Sequence, residues 1–297
     1  MFQIAGHTMG TPEYTLPHAL DLFHAIGLDG AEIVVQDGYQ CAISQQAKPG
    51  ELAALRRQAD RLGLPIIALT PYYSRFNDLD PVVREAEIQG VCRVIQYAQA
   101  LDSMYIRIYA GNFAQGDADP DGQKRRLLID SMRRLGDLAL DRGMKLVMEN
   151  HFNTMTVSAA DSISLAREIG HPAVGILYDQ ANLTFTGNES WPQALHLQFS
   201  KLYYTHVKDL IFREGCRDFT SSDVSHPTEE ERNVITRIVG EGVVPWPEIL
   251  QNMKDRGYCG WLSLEYERRW HPQDIPDASV GMKKSADYLR SCFCKLT

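Results

Sequence analysis

Short runs of apolar and β-branched residues alternate with longer stretches of helical periodicity from one end of this 297-residue chain to the other. The strand-sized runs are FQIA from Phe2, AEIVV from Ala31, PIIAL from Pro65, MYIRIY from Met104, KLVME from Lys145, VGILYD from Val174, LYYTHVK from Leu202 and WLSLEYE from Trp261. Helix-like segments lie between them, at 51–63, 81–102 and 123–143 and in PWPEILQNMKDRGY. Gly63 and Gly170 are each followed by a proline within two residues, the punctuation of a helix stop leading into a strand. Ser158 stands before AADSISLAREIG, where its hydroxyl can cap free backbone amides. Eight strand–helix units without a break in composition predict an α/β fold, a (β/α)8 TIM barrel, in a single domain over residues 1–297; an open doubly wound sheet is the alternative. The long charged stretch at about 209–243 is predicted to be a surface loop, and loops of such length often carry function.

Composition narrows the partners. A formal net charge of -8 argues against a nucleic-acid surface, which needs Lys and Arg to neutralise phosphates. A small or neutral substrate fits better. Cys41, Cys92, Cys216, Cys259, Cys292 and Cys294 show no zinc-knuckle or redox spacing, so reduced thiols in a cytoplasmic protein are expected. The N-terminus lacks an export signal, and no apolar run is long enough to span a membrane.

Active sites of such barrels form at the C-terminal ends of the strands. There LVMENH ends at Glu149, GILYDQAN carries Asp179, YYTHVKD carries His206 and LSLEYE carries Glu265. Taken singly, a strand-end acid is a helix cap or a surface group, and a lone histidine a satisfied core residue. Recurrence on four consecutive strands predicts convergence instead. Three buried carboxylates without partners repel one another and lose hydration at a cost of several kcal/mol each. A divalent cation relieves this, and oxygen donors with one imidazole select Mn²⁺ first, with Mg²⁺ or Co²⁺ as alternatives.

The segments YDQAN and THVKD, together with GEGVVPWPEILQNMKDRGYCGWLSLEYE, resemble the sugar phosphate isomerase/epimerase branch of the xylose isomerase-like TIM barrel superfamily. Gly240, Glu241, Gly242, Trp246, Pro247, Gly257, Tyr258, Gly260 and Glu265 follow the order of that branch. The resemblance implies a metal held by Glu149, Asp179, His206 and Glu265. It also implies that Glu149 and Glu265 move protons to and from a keto sugar through an enediolate. Ketose epimerases of the superfamily carry a histidine three positions after the aspartate ligand, where this chain has Asn182. They carry an arginine shortly after the histidine ligand, where this chain has Lys208 and, further on, Arg213. Many relatives are dimers or tetramers, which implies a homo-oligomer.

His151, two positions beyond Glu149, shares its direction on an extended chain and is either a further acid or base or a hydrogen-bonding support. His7, Tyr72, Arg107 and Tyr109 are further pocket residues, with Lys208 and Asn182 as substrate contacts. Trp191 and Trp270 either stack on a sugar ring or pack in the core. The leading expectation is an isomerase or epimerase of a keto sugar or related polyol. The runner-up is a lyase on the same scaffold: a keto-inositol or dehydroshikimate dehydratase, or an enzyme cleaving C-glycosides, with His151 as the acid that assists the leaving group. A metal-dependent endonuclease would need a richer histidine set and a basic face. A non-catalytic sugar-binding subunit would show a degraded ligand set.

Overall fold

The computed structural model describes residues 2–114, 116–187, 189–213 and 233–296. Its strands are β1 (Gln3–His7), β2 (Gly30–Val35), β3 (Ile66–Pro71), β4 (Tyr105–Ile108), β5 (Lys145–Glu149), β6 (Val174–Tyr178), β7 (Leu202–Val207), β8 (Asp209–Phe212), β9 (Val234–Arg237) and β10 (Trp261–Leu264). Eight of them pair in parallel in the order β1–β2–β3–β4–β5–β6–β7–β10, and β10 pairs back to β1, closing a barrel. The helices are α1 (Leu16–Ala25), α2 (Pro49–Leu62), α3 (Pro81–Leu101), α4 (Gln123–Leu140), α5 (Ala159–Ile169), α6 (Gln180–Gly187), α7 (Trp191–Gln198), α8 (Trp246–Asp255) and α9 (Ala278–Phe293). The fold is the expected (β/α)8 barrel.

The punctuation works as the sequence implies. Gly63 and Gly170 end α2 and α5 with φ of 62° and 63°, a region costly for residues with a Cβ. Ser158 accepts a hydrogen bond from the Asp161 amide at the start of α5. Along each strand, alternate side chains face the lumen. Ala5, Ala68, Tyr105, Val147, Leu177 and Tyr204 form a small apolar cluster there, separate from the larger core between strands and helices. Two residues further along these strands stand His7, Thr70, Arg107, Glu149, Asp179 and His206. One period-2 pattern thus makes both the apolar plug and the polar floor above it.

Two features go beyond the predicted pattern. The sixth unit contains two short helices, α6 and α7, rather than one. The stretch expected to be a plain loop starts and ends as an antiparallel ribbon, β8 with β9. Residues 214–232 of that stretch, with Cys216, lie outside the described residues. The other five cysteines form no disulfide. No helix among the described residues is long and apolar enough to cross a membrane.

Asp209 secures the ribbon. Its carboxylate accepts from the amides of Gly240 (2.9 Å), Gly242 (3.1 Å) and Val244 (3.1 Å). Gly240 has a φ of 93°, and a Cβ on Gly242 would collide with the Asp209 carboxylate, so both glycines of the Gly-Glu-Gly turn are required by local geometry. Just beyond, the Trp246 indole donates to the Lys208 carbonyl at 3.2 Å, fixing the end of β7. Asp209→Ala leaves these three amides and that of Leu210 (3.0 Å) without their side-chain acceptor and is expected to destabilise the protein by about 3 kcal/mol, lowering Tm by about 5 °C in calorimetry. An unchanged Tm would show that the turn does not depend on Asp209.

Candidate metal centre and active site

Glu149 closes β5, Asp179 follows β6, His206 lies in β7 and Glu265 follows β10; all four are buried. One ligand atom from each lies within 4.8 Å of the others. The convergence expected from four strand ends is therefore met by the geometry. Asp179 has two functions at once. Its Oδ1 accepts from the Asn182 amide at 2.9 Å, capping the start of α6, while Oδ2 has no hydrogen-bond partner.

His206 shows the same division. Its Nε2 lies 3.2 Å from both oxygens of Glu32 on β2. Its Nδ1 lies 3.5 Å from Glu149 Oε1 and 3.4 Å from Glu265 Oε1 without a hydrogen bond to either. Two buried lone-pair atoms, Asp179 Oδ2 and His206 Nδ1, thus lack hydrogen bonds in a cluster of carboxylate oxygens. A hard divalent cation fits this donor set.

Two basic groups border the cluster. Arg107 on β4 grips Glu149 Oε2 through Nε (2.6 Å) and Nη2 (2.5 Å) and lies flat over the Tyr109 ring, 3.6 Å from its centroid. Lys208 Nζ meets Glu265 Oε2 at 2.7 Å, Glu267 Oε1 at 3.0 Å and Asp179 Oδ2 at 3.2 Å. Lys208 thus forms salt bridges with acidic neighbours in space, though not with the adjacent Asp209, whose carboxylate is taken up by backbone amides. Burial would raise the Glu149 carboxyl, but Arg107 holds it down at about 2. Burial and the charges of Glu265 and Glu149 push Asp179 up to about 7, against the pull of Lys208. Burial would lower the His206 pKa, but Glu265, Glu32 and Glu149 hold it well above its ordinary value. Three carboxylates thus crowd around one imidazole between Arg107 and Lys208, and Asp179 carries the strain.

The remaining predicted residues surround this centre. Asn182 donates to the Asn150 carbonyl at 2.8 Å and to Glu149 Oε1 at 3.3 Å, and its buried Oδ1 has no hydrogen-bond partner. His151 Nδ1 lies 2.7 Å from the Phe152 carbonyl, which can only accept, so Nδ1 carries the proton. Burial lowers the His151 pKa, favouring the neutral ring with a bare Nε2. Tyr72, Tyr109 and His151 form consecutive aromatic contacts, with centroids 6.3 and 4.7 Å apart. The Tyr72 hydroxyl points to Met9 Sδ at 3.6 Å. His7 is buried beside Glu32. Trp270 is 45% exposed with its indole directed at Met9, whereas Trp191 begins α7 and packs against the core. Arg213 lies at the ribbon, its amide bonded to the Asn233 carbonyl. Glu32 and Thr70 were not foreseen. The signal for Glu32 was a single charge inside the apolar run AEIVV.

The family model for xylose isomerase-like TIM barrels matches residues 20–292. The chain belongs to that family. Among sequence relatives of this xylose isomerase-like barrel, an inosose dehydratase from Geobacillus thermodenitrificans (strain NG80-2) is 30% identical over 142 residues, 48% of this chain and 47% of that protein. The match thus spans about half the length of that relative. The rhizopine catabolism protein MocC from Rhizobium meliloti is 26% identical over 231 residues, 74% of this chain and 68% of its own. The IOLI protein, solved with a binding zinc atom, superposes with a TM-score of 0.78 at 16% identity, covering 100% of this chain and 99% of that one; at this identity the likeness concerns the fold.

The purified protein is expected to bind about one divalent ion per chain, and Asp179→Asn to weaken that binding about 100-fold or more, by calorimetric titration and elemental analysis. Wild-type protein that takes up no Mn²⁺, Mg²⁺, Co²⁺ or Zn²⁺ would remove the case for a metal centre.

Proposed function

We propose that the protein is a metal-dependent lyase that removes water from a keto-inositol or a closely related keto-polyol. Epimerisation and dehydration both begin with loss of a proton next to a carbonyl, so the scaffold alone favours neither. The observation that carries the choice is the sequence relation to inosose dehydratases. It favours the reading held second on sequence grounds over the isomerase or epimerase reading.

Glu149, Asp179, His206 and Glu265 would hold the ion, with Mn²⁺ preferred and Mg²⁺ or Co²⁺ as alternatives. When bound, it supplies a Lewis acid that polarises a ketone oxygen and acidifies the neighbouring C–H. The residues of the chain do the rest. Glu149, oriented by Arg107 and Asn182, takes the proton next to the carbonyl. Lys208 gives a proton to the hydroxyl leaving the adjacent carbon. Burial would lower the Lys208 pKa, but Asp179, Glu265 and Glu267 keep it well above its ordinary value, so the donor is charged at neutral pH. The C–H proton on Glu149 replaces the one given by Lys208 after exchange through solvent, and the substrate has lost one water. His151, neutral with Nε2 free of its proton, is a hydrogen-bond acceptor for a substrate hydroxyl rather than the acid expected from the sequence. Arg107, Tyr72 and Tyr109 form the wall on the side of β3 and β4.

With the metal-loaded protein and a keto-inositol, NMR is expected to show a dehydrated product. Lys208→Met is expected to retain metal and lower kcat about 100-fold. A rearranged sugar without loss of water would establish the epimerase reading instead. Metal binding without turnover of any ketose or keto-inositol would point to a sugar-binding protein.

A further inference from the structure

Glu32 is fully buried in the middle of β2, and no ligand role falls to it. Its carboxylate is nevertheless the most heavily solicited acceptor near the site. The Thr70 hydroxyl donates to Oε1, and the Tyr204 hydroxyl to Oε2 at 2.8 Å. His206 Nε2 lies 3.2 Å from both oxygens. His7 Nε2 stands 3.4 Å from Oε1. The hydrogen-bonding groups come from β3 and β7, and His7 approaches from β1 without a hydrogen bond, so one side chain links β2 to two other strands across the lumen.

An ionised carboxylate has no hydrogen to give, so every partner must donate. Hydroxyls comply by rotating. An imidazole complies only by carrying a proton on the nitrogen that faces Glu32, and in its neutral form the other nitrogen is then bare. For His206 the facing nitrogen is Nε2, and the bare one is the Nδ1 that looks toward Glu149 and Glu265. His7 is fixed in the same sense from the opposite side. The Met9 amide donates to its Nδ1 at 3.1 Å, so the His7 proton sits on Nε2, toward Glu32. His7, expected on sequence grounds to contact substrate, is thus turned to Glu32. Burial would raise the Glu32 pKa, but His206 and His7 keep it below the usual carboxylate range.

We infer that Glu32 is a positioning residue for the metal centre: it pins the His206 proton on Nε2 and so presents Nδ1 to the ion. A glutamine at position 32 would put an NH2 group in place of one carboxylate oxygen at the same volume; the hydroxyls can turn to accept from it, but His206 Nε2 can accept only by giving up its proton. The role rests on the metal-centre reading, not on the choice of substrate.

The test uses the full chain and the metals alone. Titration of wild type and Glu32→Gln with Mn²⁺ and Mg²⁺ is expected to give about 10- to 100-fold weaker binding in the variant. Tyr204→Phe, which removes a different donor from Glu32, is expected to stay within about 3-fold of wild type. Independently of any variant, ¹⁵N-histidine NMR of the metal-free wild type, with the ring in its neutral form, is expected to place the His206 proton on Nε2. A merely structural role for Glu32 would not dictate that tautomer. Unchanged metal affinity in a folded Glu32→Gln, or a His206 proton on Nδ1, would overturn the inference while leaving the metal centre intact. A wild type that binds no metal would overturn both. Should Glu32→Gln fail to fold, the wild-type tautomer decides the matter.

Discussion

The arrangement depends on one constraint: Glu149, Asp179 and Glu265 are held together out of water at one end of a barrel lumen. Isolated buried carboxylates would take up protons or force the strands apart. Here each is restrained differently. Arg107 neutralises Glu149, Lys208 bridges Asp179 and Glu265, and the α6 amide of Asn182 takes one oxygen of Asp179. What these restraints leave over is two buried atoms of metal-binding type without hydrogen bonds, Asp179 Oδ2 and His206 Nδ1, beside carboxylates that favour a positive charge among them. The apolar cluster beneath, with stacked Tyr105 and Tyr204, closes the floor on its far side.

The chemistry follows from how unequally the acids are treated. Glu149 meets a guanidinium that makes two contacts and cannot give up its charge. Glu265 meets a lysine shared among three carboxylates. The first pairing fixes direction; the second keeps a charged ammonium beside Asp179 and Glu265. On the proposed dehydratase reading, Glu149 and Lys208 would serve as base and acid, from different strands, in the removal of a proton and a hydroxyl from neighbouring carbons.

Much of this was legible in the sequence because it is local. All eight barrel strands, the glycine stops at 63 and 170 and the Ser158 cap depend on residues within one element. The four candidate metal-binding residues were legible because each closes an apolar run. Glu32 was missed because attention went to strand ends, whereas it stands inside AEIVV, where the charge itself was the anomaly. The partners of Lys208 were beyond reach for another reason. They lie at 179, 265 and 267, and only closure of the barrel brings them together. The split of the sixth unit into α6 and α7 and the β8–β9 ribbon likewise depend on tertiary packing, which periodicity does not encode.

The knot at Asp209 has an evolutionary consequence. Its carboxylate ties down the Gly-Glu-Gly turn and Trp246 holds the carbonyl of Lys208, so the backbone on both sides of the ribbon is anchored by contacts outside the ribbon itself. Such anchoring is what modularity requires: sequence can change along β8 and β9 while the candidate metal-binding residues inherit a fixed address.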